Sequence, residues 1–280
     1  MPFREPLVTW EKRITKMCNG KFCGYNNLFC LLKDVQVDPT MIVDHKKSTG
    51  KENITDNGFL KFRNGLFRQN CENKPKYAFR PNDRLTDWLN ALNTSNNYPI
   101  KTENHESNFA VAITRYEYAN LYHTITDWFN IFLVTTFHKQ NPRTCTIIFL
   151  DGHAKTKMDV VWKTLFRKVI YIKEMKEAML FDELIWGITG YLSPLNQHKL
   201  NHLYYLEEFR KFYLFSYNVK DIKILNCKKL SVLLILRKDY VAHPNNPTGH
   251  VSRKIYNEKE LEATIEETLL STYHPSSSTG

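Results

Sequence analysis

The sequence predicts an α/β fold, because apolar runs of strand length alternate along the chain with segments of helical spacing. The apolar runs lie at residues 109–114, 144–150 and 168–172, with a further strand expected near 184–188. Helical spacing is found at residues 118–137, 160–166 and 198–215. Buried strands that alternate with helices are typical of a parallel sheet covered by helices.

The distribution of apolar, polar and cysteine residues along the chain predicts the domain organisation. Residues 1–108 hold a cysteine cluster, short apolar patches and many Asn, Lys and Gly residues, which indicates a small strand-rich cap. Residues 109–217 are predicted as a Rossmann-like domain, and the polar residues 218–229 as a linker. Residues 230–280 contain an apolar run, a Pro/Gly/Asn loop and a helix that Asn257 would cap. This pattern predicts the first unit of a second nucleotide-binding-type domain, which we expect to be truncated.

The composition is that of a folded protein with an excess of positive charge. The chain has 280 residues, of which 42% are hydrophobic and 24% charged, and its formal net charge is +10. This charge favours an anionic partner, such as a diphosphate, an acidic membrane surface or nucleic acid. The alternative is a basic surface that is simply solvated. The sequence contains no nucleic-acid motif, Walker loop or Gly-x-Ser-x-Gly elbow, so nucleic acid is not expected as a partner. It also contains no apolar run of the ~20 residues that span a bilayer.

The cysteines favour a secretory compartment. Three of the six lie close together, at Cys18, Cys23 and Cys30, without the tight Cys-x-x-Cys pairs of a zinc site. This cluster indicates one or two disulfides, with buried free thiols as the alternative. The glycosylation sequons at Asn53 and Asn93 point the same way.

A first polar constellation lies just beyond the strand at residues 109–114. Asn120, His123 and Asp127 have the spacing i, i+3, i+7, which places them on one helix face, and Arg115 and Glu117 precede the helix. A histidine beside a carboxylate suits general base catalysis, because the carboxylate orients the imidazole and supports its positive charge. The alternative is a capped helix whose polar groups are hydrogen-bonded for structural reasons.

A second constellation, in residues 237–258, suits an anionic phosphate. Arg237 follows the apolar run, His243 directly precedes the Pro/Gly/Asn loop, and Arg253 and Asn257 precede the last helix. A guanidinium binds phosphate oxygens in a forked geometry, and a helix N-terminus adds positive potential. A solvated basic loop is the alternative here.

Four motifs together resemble plant β-1,2-xylosyltransferases of glycosyltransferase family 61. They are TRYEYANLYHTITDW at residues 114–128, IFLDGH at 148–153, LRKDYVAHP at 236–244 and SRKIYNE at 252–258, with a looser similarity at LKDVQVDP, residues 32–39. The family pattern Asn-x-x-His-x-x-x-Asp is matched by Asn120, His123 and Asp127. Arg237, Arg253 and Asn257 match its arginine and Arg-x-x-x-Asn pattern.

The resemblance implies a GT-B-like architecture, in which residues 109–217 form the acceptor-side domain and residues 230–280 begin the nucleotide-sugar-binding domain. It implies inverting transfer of xylose from UDP-xylose to the core mannose of N-glycans, by a type II membrane protein of the Golgi. This chain shows neither the expected membrane anchor nor the Gly-His-Gly-Ala-type loop that follows the last helix in the family. We therefore expect a fragment. The alternatives are an O-linked N-acetylglucosamine transferase of the same family and an inactive glycan-binding pseudoenzyme.

The resemblance also assigns roles to the site residues. His123 is expected to be the base, oriented by Glu117 or Asp127. The expected substrate-binding residues are Arg115, Asn120, Arg237, His243, Arg253 and Asn257. Arg237, Arg253 and a helix N-terminus would hold the UDP charge in place of a metal. No metal site and no cofactor beyond the donor UDP-xylose is predicted.

Overall fold

The computed structural model describes residues 7–43, 58–80, 83–95, 102–196 and 203–219, together with 234–236, 238, 248, 250 and 254–273. The chain divides into two compact units, Met1–Asp221 and Ile222–Gly280. The α-helices are α1 (Leu7–Lys12), α2 (Arg84–Ala91), α3 (Leu121–Phe137), α4 (Met158–Leu165), α5 (Leu206–Ser216) and α6 (Glu258–Tyr273). The strands are β1 (Ile14–Met17), β2 (Phe22–Tyr25), β3 (Phe29–Val37), β4 (Ile42–Val43), β5 (Lys61–Phe62), β6 (Phe67–Gln69), β7 (Leu92–Thr94), β8 (His105–Glu106), β9 (Ala110–Ile113), β10 (Thr146–Phe149), β11 (Lys168–Tyr171) and β12 (Met179–Trp186).

One mixed sheet organises the first unit, with the order β1-β2-β3-β12-β9-β10-β11. The strands β12, β9, β10 and β11 run parallel, as the alternating pattern predicts. The strands β3, β2 and β1 continue the sheet in antiparallel pairs, which the sequence did not predict. Short turns join β1, β2 and β3, and such turns permit only antiparallel neighbours. Strands from both predicted segments, 1–108 and 109–217, therefore share one sheet.

Most of the helices and strands predicted for the first unit are present, but they begin or end at other residues than predicted. The strands β9, β10 and β11 lie within the three predicted apolar runs, whereas β12 begins at Met179, before the strand expected near 184–188. Helix α3 begins at Leu121, because the Asn120 side chain caps it by accepting a hydrogen bond from the Tyr122 amide. Helix α5 covers only the second half of its predicted span, of which residues 198–202 lie outside the described residues.

The second unit contributes one described helix, α6, which begins directly after Asn257 as predicted. The Asn257 carbonyl accepts a hydrogen bond from the Leu261 amide. The predicted strand at 230–236 is not found at residues 234–236, and its other residues lie outside the described part of the chain. Of the predicted linker at 218–229, only residues 218 and 219 are described.

Alternation along the central strands builds a core on each face of the sheet. On β9 and β10, Val111, Ile113, Ile147 and Phe149 point to the cluster that packs around helix α3. Their neighbours Ala110, Ala112 and Ile148 point to the opposite cluster, which includes Trp88 of α2. Because successive side chains point to opposite faces and those of both faces are apolar, these strands are covered on both sides.

A disulfide joins Cys18 to Cys71, across 53 residues of sequence. The expectation that the early cysteine cluster contains a disulfide partner is thereby confirmed. Cys23, Cys30 and Cys145 are free and buried, and burial raises the pKa of the Cys145 thiol to about 12. Cys23 and Cys30 belong to the cores on opposite faces of the sheet, so they are not placed to pair with each other.

Among the described residues, no helix combines the length and the apolar character that a transmembrane helix needs.

The C-terminal end of α3 carries a histidine inside an aromatic cage. The ring of His138 lies 5.0–5.5 Å from the rings of Tyr25, Phe109 and Phe137, measured between ring centroids. Within the described residues its Nε2 atom has no hydrogen-bond partner. Burial, and to a lesser degree the positive charge of Lys33, lowers the pKa of His138 to about 4.

We therefore predict that the free energy of unfolding depends on His138 between pH 6.5 and 4. In this window the unfolded chain binds a proton at this residue and the folded chain does not, so stability falls as the pH is lowered. The loss would reach about 3 kcal/mol at most, and a His138→Phe variant should lack it. Urea unfolding at several pH values measures the difference, with His105→Asn at an exposed histidine as the control. Parallel pH profiles for wild type and His138→Phe would contradict the prediction.

Candidate functional site

The site lies at the carboxyl edge of the parallel strands. Strands β9 and β10 pair in register, with Ile113 opposite Phe149, so the residues that follow them meet at one edge. Arg115 follows β9 and Asp151 follows β10. Open α/β sheets bind ligands at this edge, because the loops and helix N-termini that follow the strands converge there.

Arg115 and Asp151 form a buried ion pair at this edge. The Arg115 side chain donates from Nη2 to Asp151 Oδ1 at 2.7 Å and from Nε to Oδ2 at 3.2 Å, and its backbone amide donates to the same carboxylate at 2.9 Å. Asp159 of α4 accepts from Nη1 at 3.4 Å. Burial alone would lower the pKa of Arg115, but the two carboxylates outweigh it and raise the pKa, so the guanidinium stays charged.

Aromatic rings enclose this ion pair. The guanidinium carbon of Arg115 lies 4.1 Å from the centroid of the Phe149 ring, within the range of a cation–π contact. The His153 ring stacks on Tyr118 at 4.6 Å, and its Nε2 atom lies 3.1 Å from the Arg115 carbonyl oxygen. These contacts fix the backbone between Arg115 and Tyr118, and with it the position of Glu117.

Glu117, Asn120 and His123 come together at the N-terminus of α3. His123 Nε2 lies 3.5 Å from Glu117 Oε2, and the two side chains are 24% and 35% exposed. The Asn120 side-chain amide donates to Glu117 at 3.3 Å, while its carbonyl oxygen caps the helix. The sequence prediction placed Asn120 and His123 on one helix face, with Glu117 before the helix. In the structure each of the two contacts Glu117.

Asp127 lies deeper, next to the ion pair. It is 5% exposed, and no Asp127–His123 ion pair is found among the described residues. Burial raises the pKa of Asp127 well above its ordinary value, the negative charge of Asp151 adds to the shift, and Arg115 opposes it. These effects favour the protonated carboxylic acid. Of the two carboxylates predicted to orient His123, the structure places Glu117 against it.

The other predicted substrate-binding residues divide into two groups. Arg237, His243 and Arg253 lie outside the described residues. Asn257 precedes α6 in the second unit, and its side-chain amide donates to Glu260 at 3.2 Å. The contacts of Arg115 and Asn120 are with protein groups, so their substrate-binding role, like the other assigned roles, stays a prediction.

Three residues of this site were missed as functional candidates: Asp151, His153 and Asp159. The signal for Asp151 and His153 was present, because the sequence Asp-Gly-His directly follows a buried strand that neighbours β9. Asp159 lies in the first turn of α4 and carries no local motif. Only the pairing of β9 with β10 shows that all three surround Arg115.

We predict that Asp151→Ala destabilises the protein by about 3–5 kcal/mol, because it leaves the Arg115 guanidinium buried without its main partner. Glu183→Ala is the matched control. It removes one partner of an exposed ion pair with Lys33, and such pairs contribute about 0–1 kcal/mol. Chemical denaturation of the three proteins compares the costs. Equal losses in the two variants would show that the buried pair is not a main support of this edge.

Two curated proteins are similar to this chain. No family model matches the chain. Over 176 residues the chain is 33% identical to "Beta-1,2-xylosyltransferase RCN11" of Oryza sativa subsp. japonica, a match that covers 55% of this chain and 33% of the rice protein. It is 26% identical over 179 residues to "Beta-1,2-xylosyltransferase" of Arabidopsis thaliana, which covers 53% of this chain and 33% of that protein. The chain thus matches about a third of the length of these curated relatives. The resemblance predicted from the motifs is confirmed: the chain is similar to the plant β-1,2-xylosyltransferases.

Proposed function

We propose that the protein is an inverting glycosyltransferase that moves xylose from UDP-xylose to the core mannose of N-glycans. The observation that carries the proposal is the contact between His123 and Glu117 at the carboxyl edge of the sheet. The similarity to two proteins named β-1,2-xylosyltransferases supports the choice of xylose. We extend the proposal to a GT-B-like pair of Rossmann-like domains, for which the parallel strands β12, β9, β10 and β11 supply the first sheet.

The geometry suggests how His123 would act as the base. Its Nε2 atom faces the Glu117 carboxylate, so Nδ1 is the nitrogen left to accept a proton. In the proposed step, a mannose hydroxyl gives its proton to this nitrogen, and the hydroxyl oxygen attacks the anomeric carbon of xylose. The bond from that carbon to the UDP oxygen breaks, and the configuration inverts. Glu117 supports the imidazolium that forms.

The leaving group needs positive charge. In the proposal, Arg237 and Arg253 bind the diphosphate of UDP, and the N-terminus of α6 adds its partial positive charge. Support for this comes from the sequence motifs alone, since both arginines lie outside the described residues.

We also propose that the protein works in the Golgi lumen as a type II membrane protein, the organisation that the resemblance implies. The Cys18–Cys71 disulfide supports an oxidising compartment, because such bonds persist in the secretory pathway and are rare in the cytosol.

The proposal is tested by incubating the full-length protein with UDP-xylose and an N-glycan that carries the core mannose. We expect the product to gain the mass of one pentose. A gain of a hexosamine would instead indicate an N-acetylglucosamine transferase, and no transfer by the folded full-length protein would indicate a glycan-binding pseudoenzyme. Either result would overturn the proposed reaction.

We predict that His123→Ala lowers kcat by roughly 10²–10⁴-fold, the usual contribution of a positioned base. His105→Ala is the matched control, because His105 also contacts a carboxylate, Asp182 at 2.6 Å, but on β8. Steady-state kinetics of both variants give the comparison. Near-normal turnover of His123→Ala would place the base elsewhere, and unfolding of this variant alone would show that the residue is structural.

For Arg253→Ala we predict weaker binding of UDP. The binding free energy of UDP should become less favourable by about 1.5–3 kcal/mol, the value of a hydrogen bond to a charged group. His123→Ala should leave UDP binding nearly unchanged. Calorimetric titration of UDP into both variants separates donor binding from chemistry, and equal losses of UDP affinity would contradict the separate roles.

A further inference from the structure

A cluster of exposed side chains surrounds the candidate base. Tyr116, Leu121 and Tyr122 are 37%, 52% and 50% exposed, although large apolar side chains are usually covered. The ring centroids of Tyr116 and Tyr122 lie 4.7 and 5.5 Å from that of His123. These four residues are called the tyrosine patch here. Adjacent exposed apolar groups that are rimmed by polar side chains mark binding surfaces.

The segment 190–196 holds the two tyrosines in place. The Tyr122 hydroxyl donates to Asn196 Oδ1 at 2.7 Å, and Asn196 Nδ2 donates to the Gly190 carbonyl at 2.6 Å. Gly190 packs beside Tyr116: a Cβ atom added to this glycine would lie 3.5 Å from the Tyr116 Cβ. The Tyr122 ring is therefore positioned before any ligand arrives, which lowers the entropic cost of binding.

We propose that Tyr116 and Tyr122 form a sugar-stacking subsite, which holds a pyranose ring of the acceptor glycan against His123. This assignment of the patch to the acceptor rests on the proposed transferase function. A pyranose has faces of C–H groups and a rim of hydroxyls. The tyrosine rings match the faces, while the Glu117 carboxylate and the Asn196 amide supply hydrogen-bonding groups for the rim.

The charge at the patch favours the acceptor over the donor. Glu117 lies beside His123 with 35% of its side chain exposed, and a carboxylate there repels the diphosphate of a nucleotide sugar. A neutral glycan meets no such repulsion. A sugar stacked on Tyr116 also lies next to the imidazole, so its hydroxyl is within the neighbourhood of the base that must take its proton.

The test uses the full-length protein and two variants, Tyr116→Leu and Tyr122→Leu, which keep apolar bulk and remove the ring. We expect each to raise KM for the N-glycan about tenfold, the loss that follows from one aromatic contact. KM for UDP-xylose should be unchanged. Phe215→Leu is the matched control, because Phe215 is an exposed aromatic residue on α5 with 46% of its surface accessible. Two variants are used so that a folding defect in one leaves the other informative.

Glycan binding measured without donor separates this inference from the proposed reaction. Saturation-transfer NMR with the N-glycan alone should show weaker binding in both tyrosine variants than in wild type or Phe215→Leu. That result supports the subsite even when no xylose transfer is detected, in which case only the proposed reaction fails. The subsite is overturned if glycan affinity is unchanged in the tyrosine variants or falls equally in Phe215→Leu. It is also overturned if the wild-type protein transfers xylose and both tyrosine variants keep its KM for the N-glycan.

Discussion

The ion pair between Arg115 and Asp151 is the contact on which the candidate site depends. It joins the chain immediately after β9 to the chain immediately after β10, and Asp159 extends the connection to α4. Because the guanidinium is buried, its hydration must be replaced by these carboxylates and by the Phe149 ring. Glu117 lies two residues after Arg115, so the buried ion pair fixes the start of the loop that carries it. The positions of Glu117 and of the proposed base His123 therefore depend on this buried contact.

Two aspartates of this neighbourhood have different surroundings. Asp151 accepts hydrogen bonds from the Arg115 guanidinium and from the backbone amides of Arg115 and His153. Asp127 makes no hydrogen bond through its carboxyl among the described residues, and burial favours its protonated form. A single arginine therefore does not neutralise every nearby carboxylate. Hydrogen bonding distinguishes the two buried acids, and the spacing of the residues in the sequence does not reveal the difference.

Local patterns were sufficient for much of this structure. The apolar runs predicted β9, β10 and β11, and the helical spacing over residues 118–137 predicted the helix that presents His123. They could not predict that β3 pairs with β12, because antiparallel pairing between distant segments leaves no periodic signal in either strand. The partners of Arg115 were hidden for the same reason. Asp151 and Asp159 are 36 and 44 residues away from it in sequence, and only the register of two strands and the packing of α4 bring them together.

The disulfide between Cys18 and Cys71 encloses β2, β3 and β6, which all belong to the main sheet. A protease that cuts the chain once between these cysteines would leave both pieces covalently joined. The strands on either side of the cut would also stay hydrogen-bonded to β3 or β12. A nicked molecule would therefore migrate as intact on a gel run without reducing agent, and would separate into two bands only after reduction.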